Sequence, residues 1–248
     1  MKILLTNDDG IAAEGLNALV RVLAEEAEIA VAAPDGEKSA TSHSVTLRHP
    51  IAMREIAPLR WAVEGTPVDC VHLAVLKLLP WRPDLVVSGI NHGANLGCDV
   101  IYSGTVAGAR EAALLGLPAF AVSLNTWNNH TVSFAAAAEF SRTLVRWLQK
   151  NRLPPGVFLN VNVPGLPAGE IKAAQITRQG KRIYSKKIEE ILGPDGLKRY
   201  QLGGDSFRGE PIGDSDIVAV EAGHISVTPL RFDTTDYPAL DAWRELKL

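Results

Sequence analysis

The chain reads as an α/β protein, a mostly parallel sheet with helices on both faces, followed by a C-terminal extension of different character. Three observations predict this. Short apolar runs alternate with amphipathic stretches through the first two thirds of the 248 residues, which is the rhythm of strand and helix in a parallel sheet. The runs are continuous rather than alternating, as in Leu85-Val86-Val87, and so suit strands buried on both faces. Past Pro164 the pattern changes to alternating segments around Gly193-Pro194-Asp195-Gly196, which predicts a β-hairpin.

In order, Lys2 to Thr6 is the first predicted strand, and Leu16 to Ala27 repeats Leu16, Leu19, Val20 and Leu23 at helical spacing. Glu28 to Ala33 gives a second strand, closed by Pro34. Asp35 to Pro50 is rich in Ser, Thr and His without periodicity; a loop of that length inside a compact domain usually serves function. Ile51 to Arg54 and Trp61 to Glu64 predict two short strands. A helix then starts with Thr66 as N-cap, Pro67 at its first position and Asp69 as the acid of a capping box, and runs to about Leu79. Asp84 to Ser88 is the next strand, followed by a glycine-rich stretch to Gly104 and a small-residue helix from Thr105 to Leu115. Pro118 to Leu124, Ser133 to Leu148 and Phe158 to Val163 predict strand, helix and strand. Residues 1–164 thus form a Rossmann-like core within a single domain. Residues 165–248 form the extension: a projecting hairpin of Lys181 to Lys187 with Leu197 to Leu202, a strand at His224 to Thr228, and a terminal helix from Pro238 to Leu246.

Composition narrows the function classes. With 46% hydrophobic and 21% charged residues and a formal charge of -3, this is a globular composition. No run of Lys or Arg marks a surface for polymeric nucleic acid or membrane, and no segment reaches the roughly 20 apolar residues of a membrane span. Cys70 and Cys98 form neither a disulfide framework nor a Cys-x-x-Cys pair. The start at Met1 runs straight into a strand without the apolar core of a secretory signal. The expected location is cytoplasmic.

The chemistry centres on Asn7-Asp8-Asp9-Gly10, two adjacent carboxylates at the carboxyl end of the first strand, where α/β folds place their ligands. Like charges at one turn want a cation, so a metal-dependent enzyme is the first reading; an ordinary polar turn is the other. Ser88 to Gly97 leaves a second strand end dense in glycine, and glycine lets backbone N–H groups approach an anion. Ser103-Gly104-Thr105 opens a helix, either as a plain cap or as a phosphate seat. Lys38 to Ser44 is a polar loop whose hydroxyls suit a metal, a phosphate or simply water. His43 and His92 lie in these loops, either as surface residues or as proton donors to a leaving group. Trp61, Tyr102, Trp127 and Tyr184 are aromatics that stack on a base or pack internally. Neither Gly-x-Gly-x-x-Gly nor Gly-x-x-x-x-Gly-Lys-Ser/Thr follows the first strand, which argues against a dinucleotide module and an NTPase.

Together these segments resemble the SurE survival-protein family. Leu5-Thr6-Asn7-Asp8-Asp9-Gly10, Ala33-Pro34-Asp35 through Ser39-Ala40, Gly65-Thr66-Pro67 with Asp69-Cys70, Ser88-Gly89-Ile90-Asn91 with Asn95-Leu96-Gly97, and Tyr102-Ser103-Gly104-Thr105-Val106 carry the likeness in order. It continues through Asn160 to Pro164, Thr177 to Gly180 and Ile225 to Leu230, and so covers nearly the whole chain. The resemblance implies a metal-dependent phosphatase for nucleoside 5′- and 3′-monophosphates, with short polyphosphate as a further substrate in some members. A nucleotide-binding module without turnover is the alternative. The family's metal ligands fall on Asp8, Asp9, Ser39 and Asn91, all oxygen donors suited to one Mg²⁺ or Mn²⁺ per subunit rather than to zinc. Asp8 and Asp9 would also serve catalysis, with Gly93, Asn95, Ser103, Gly104 and Thr105 holding the phosphate and His43 a possible acid. Members of the family are homodimers or homotetramers, which implies subunit contacts through the hairpin and the C-terminal helix. One departure is that Ala40 and Lys38 stand where many members have Gly and Arg.

Overall fold

The computed structural model describes residues 1–126, 133–184, 188–202 and 207–246; Trp127 and residues 185–187 of the expected hairpin lie outside them. The core begins β1 (Lys2–Thr6), α1 (Glu14–Leu23), β2 (Glu28–Pro34), β3 (Met53–Ala57), β4 (Arg60–Val63) and α2 (Pro67–Leu73), which continues as a π turn over Ala74–Leu78. There follow β5 (Leu85–His92), a 3₁₀ turn at Gly97–Ile101, α3 (Gly104–Leu114), β6 (Ala119–Asn125), α4 (Ala135–Leu148) and β7 (Val157–Pro164). The remainder holds β8 (Lys172–Ile176), β9 (Arg182–Tyr184), β10 (Ile188–Leu192), β11 (Lys198–Leu202), β12 (Phe207–Gly209), α5 (Asp216–Glu221), β13 (His224–Arg231) and α6 (Tyr237–Trp243).

The main sheet has the order β3-β4-β2-β1-β5-β6-β7-β13-β8. Pairing is parallel from β4 through β7, while β3 and β13 are antiparallel to β4 and β7. Alternate residues of each central strand feed opposite faces. Ile3 and Leu5 pack with Leu16 and Leu19 of α1 and Ala138 and Val145 of α4. Leu4 and Val86 pack with Cys70 and Val71 of α2 and Val106 and Ala109 of α3. The order reverses at β1, which has β2 on one side and β5 on the other. That switch point is where ligands of open α/β sheets gather, and Asp8 and Asp9 follow β1 directly.

The capping box forms as the sequence predicts: Asp69 N–H donates to Thr66 Oγ1, and Thr66 N–H donates to Asp69 Oδ2. The hairpin differs. Ile188–Leu192, not Lys181 to Lys187, pairs with Lys198–Leu202, with Leu192 opposite Lys198. A short turn pairs the residues that flank it, and Gly193 N–H bonds to Leu197 O across this one. β9 instead joins β12 in a second two-stranded ribbon. The extension is also more than an appendage, because β13 and β8 complete one edge of the main sheet. β8 and the short α5 carry too little periodicity to be read from the chain. Among the described residues, no helix is long and apolar enough to cross a membrane.

Candidate active site

Local rules place the two acids. Asn7 closes its turn on itself, its Nδ2 donating to Gly10 O (2.9 Å) and its Oδ1 accepting from Gly10 N–H (3.2 Å). Gly10 takes φ +99, and a Cβ there would lie 3.1 Å from the Gly36 backbone, so the turn presses on the start of the 35–50 loop. Lys38 N–H then donates to Asp8 O (2.7 Å), which ties the Ser39 segment to the acidic turn.

Asp8 is buried, and the Thr105 hydroxyl donates to its Oδ1. Asp9 accepts at Oδ2 from His92 N–H (3.1 Å). The Asp8 carboxylate is thus held by Thr105, while Asp9 has Oδ2 held by a backbone donor and carries Oδ1 as a second acceptor. Burial is the main cause that pushes the Asp8 carboxyl up to about 6, with the neighbouring Asp9 charge adding and the Thr105 bond opposing. Burial likewise raises Asp9, against the His92 N–H. Two desolvated adjacent acids are a poor resting state without a cation.

All four residues expected to ligate a metal, Asp8, Asp9, Ser39 and Asn91, line one cleft of about 940 Å³. Asn91 donates its amide N–H to Gly93 O (2.8 Å), which leaves Oδ1 as its acceptor. Ser39 donates its hydroxyl proton to Glu37 Oε1 (2.6 Å) and keeps oxygen lone pairs. The set is two carboxylates, an amide and a hydroxyl, a hard oxygen set that fits Mg²⁺ or Mn²⁺. Among the described residues, no three His, Cys, Asp or Glu side chains come together as a metal group, so a site here depends on the amide and the hydroxyl.

The expected phosphate residues divide. Gly93, Asn95 and Ser103 line the cleft, while Gly104 and Thr105 do not. A Cβ at Gly104 would lie 2.9 Å from Asp8 Cβ and Oδ2, so the start of α3 meets the Asp8 carboxylate and its dipole favours that charge. Gly93 N–H is committed to Leu124 O (3.0 Å). Asn95 is buried: its N–H donates to Asn162 Oδ1 and its side-chain Nδ2 to Ser123 Oγ, both at 2.8 Å, while Asn160 and Asn162 donate to its carbonyl. It locks the glycine-rich loop to β6 and β7. Ser103 Oγ accepts from Val106 N–H (3.0 Å) as the cap of α3, and its own proton is available to a ligand.

The structure does not bring His43 into the cleft. Its Nε2 lies 2.9 Å from Glu111 Oε2, while His72 Nδ1 lies 2.8 Å from Oε1 of the same carboxylate. A buried acid of α3 thus pins the Ser39 loop and α2 together. His92, by contrast, lines the cleft, edge-on to Phe134 with ring centroids 6.4 Å apart.

Several contributors escape sequence reasoning. Glu14, Glu37, Asp99 and Arg182 also line the cleft, beside Tyr102 and Tyr184 of the aromatics named above. Asp99 accepts from the Arg182 guanidinium and the Tyr184 phenol. Asp216, fully buried, accepts from Gly97 N–H, Gly180 N–H and its neighbour Ile217 N–H, and so fastens the extension to the glycine-rich loop. Only the Ser-Asp pair that opens α5 hints at it in the sequence.

A family model described as survival protein SurE matches residues 3–186. The chain belongs to the SurE family. It is similar to the 5′-nucleotidase SurE of Geotalea daltonii, 49% identical over 240 residues that span 97% of this chain and 96% of that protein. The 5′-nucleotidase SurE of Geotalea uraniireducens is 48% identical over 248 residues, the full length of both. In three dimensions the chain resembles the crystal structure of the SurE protein from Aquifex aeolicus, with a TM-score of 0.85, 38% identity and 98% of each chain covered. The SurE fold thus extends over the β9 ribbon and the sheet edge formed by β13 and β8, beyond the core that holds the acids.

Proposed function

We propose that this SurE protein is a divalent-metal-dependent phosphomonoesterase that hydrolyses nucleoside 5′- and 3′-monophosphates to nucleoside and phosphate. One observation carries the reading. Asp8, Asp9, Glu14, Glu37 and Asp99 line the cleft against the single guanidinium of Arg182 among the described residues, and a phosphate dianion enters such a field only beside a dication. The names of the relatives, 5′-nucleotidase SurE, agree. Asp8, Asp9, Ser39 and Asn91 would hold one Mg²⁺ or Mn²⁺. When bound, such an ion supplies Lewis acidity toward a phosphoryl oxygen and acidifies water.

The chain's own residues do the rest. Asp9, less buried than Asp8, has Oδ1 to align the attacking water in line with the departing ribose oxygen and to take its proton. Ser103 donates to a non-bridging phosphoryl oxygen beside the Gly93 to Asn95 backbone, where charge grows in the transition state. Gly104 and Thr105 act through Asp8, as positioning residues. His43 has no acid role in this reading, because its imidazole serves the loop anchor on Glu111. The enzyme is cytoplasmic and works as a homodimer or homotetramer joined through the β10–β11 hairpin and α6.

Phosphate release from AMP and GMP tests this. Exhaustive chelation is expected to abolish turnover and Mn²⁺ to restore it, and Asp9→Asn is expected to lose at least a hundredfold in kcat with its fold intact. Full turnover after chelation overturns the reading.

A further inference from the structure

Once the phosphate is seated between the acidic turn and Ser103, the nucleoside must lie along the rest of the cleft. Among the described residues, the Tyr and Phe side chains that line it are Tyr102, Phe134 and Tyr184. Trp61 is 5% exposed and belongs to the core, so it takes no part. Phe134 packs against the other core cluster and would lie 3.2 Å from a Cβ at Gly15, so much of its surface is already spent.

Tyr102 is built differently. Its backbone is held from both sides, its N–H donating to Asp99 O and its carbonyl accepting from Ser42 N–H, each at 2.9 Å. Its ring is nevertheless 62% exposed. It precedes Ser103, so it is within one nucleoside of the phosphate seat. Tyr184 reaches the same wall from β9. Its phenol donates to Asp99, the Arg182 guanidinium stands 5.9 Å from its ring centroid, and the ring is 46% exposed. The Asp99 turn therefore fixes Tyr102 through its main chain and Tyr184 through its side chain. A ring whose backbone or hydroxyl is fixed gives up little entropy on contact with a ligand.

We propose that Tyr102 and Tyr184 are the specificity-determining wall of the cleft, on which the base of the nucleotide stacks. The inference rests on the nucleotidase reading. The Asp99 carboxylate that faces the wall is occupied by Arg182 and Tyr184, so the wall reads the π face of the base and not its hydrogen-bonding edge. Every base has such a face. The enzyme therefore accepts all four bases and favours purines, which offer the larger stacking area.

The experiment measures kcat/KM with Mn²⁺ for AMP, GMP, CMP, UMP and ribose 5-phosphate, which lacks a base, in the wild-type protein and in Tyr102→Ala, Tyr102→Phe, Tyr184→Ala and Phe134→Leu. Tyr102→Ala is expected to lower the ratio of AMP to ribose 5-phosphate activity by roughly tenfold or more, on the scale of losing one base–aromatic stack. It is also expected to flatten the purine preference. Tyr102→Phe restores both, because the ring and not the hydroxyl does the stacking, and Tyr184→Ala lowers the ratio in the same direction. Equal losses on AMP and ribose 5-phosphate, an unchanged ratio, or an effect confined to Phe134→Leu would overturn the proposal. If the wild-type protein releases phosphate from none of these esters, the nucleotidase reading itself fails, and that outcome is separate from a failure of the wall.

Discussion

Asp8 is where folding and function make opposite demands. Its carboxylate is 5% exposed, and burial lifts it to about 6 from an ordinary 3.8. A raised carboxylate means that the folded, metal-free protein binds the proton more tightly than the unfolded chain does. Its contribution to stability is therefore complete below about pH 4 and is lost as the pH rises through the window to about 6. In chelator at pH 7.5, Asp8→Asn should be more stable than wild type by up to about 3 kcal/mol, the shift of roughly two pH units converted at about 1.4 kcal/mol each. Urea unfolding at pH 7.5 and pH 4 checks this, with the gap closing at the lower pH. Mn²⁺ should raise the midpoint of wild type and leave that of Asp8→Asn unmoved. Nearby, Ala40 stands at φ +55, a conformation costly for any residue with a Cβ. Glycine there should gain up to about 1 kcal/mol net of its greater unfolded-state entropy. A melting curve of Ala40→Gly reads it as a higher Tm.

Among the elements, α3 joins the most parts of the site. Gly104 brings its first turn onto Asp8, and Gly108 lets its second meet β1 and β5, since a Cβ there would lie 2.9 Å from Ser88 Oγ and 3.0 Å from Thr6 Cγ2. One turn further on, Glu111 holds His43 and His72. The His43 hydrogen bond is the main cause that lowers the Glu111 carboxyl, followed by the His72 bond after an opposing burial effect. A lowered carboxylate contributes stability above its unfolded value near 4.5, lost as the pH falls through the folded one. Glu111→Gln is therefore expected to cost about 1–3 kcal/mol at pH 7 and progressively less below pH 4, measured by denaturant unfolding. Because the same carboxylate anchors the Ser39 loop, the variant should also need about tenfold more Mn²⁺ for half-maximal turnover.

At the scale of the whole molecule, apolar side chains gather where the chain leaves its own core. In β10, Leu192 is 70% exposed, and in α6 Trp243 is 65% exposed, with Ile188, Leu197, Tyr200 and Leu240 exposed nearby in sequence. A projecting two-stranded ribbon has no core of its own and is marginal alone in water. It is expected to bury this surface on another copy, so light scattering at micromolar concentration should return a dimer or tetramer mass. Leu192→Asp should shift that mass toward the monomer. A monomer for the wild-type protein would remove the extension from any role in assembly.

What this sequence determined by itself is whatever depends on neighbours along the chain. Continuous apolar runs placed β1 and β5, helical periodicity placed α1 and α4, the Thr66 to Asp69 spacing placed the start of α2, and the run into Asn7-Asp8-Asp9 put two acids at a strand end. The four oxygen donors were legible through the SurE likeness, and all four line one cleft. The tertiary structure decided which polar atoms remain available once distant segments meet. Asn95 spends its amide on Ser123, Thr105 its hydroxyl on Asp8, and His43 its imidazole on Glu111, while β9 delivers Arg182 and Tyr184 to a wall formed some eighty residues earlier. A hydrogen bond claimed across the fold leaves no trace in local sequence, because it depends on the approach of chain segments whose spacing only the packed sheet and helices set.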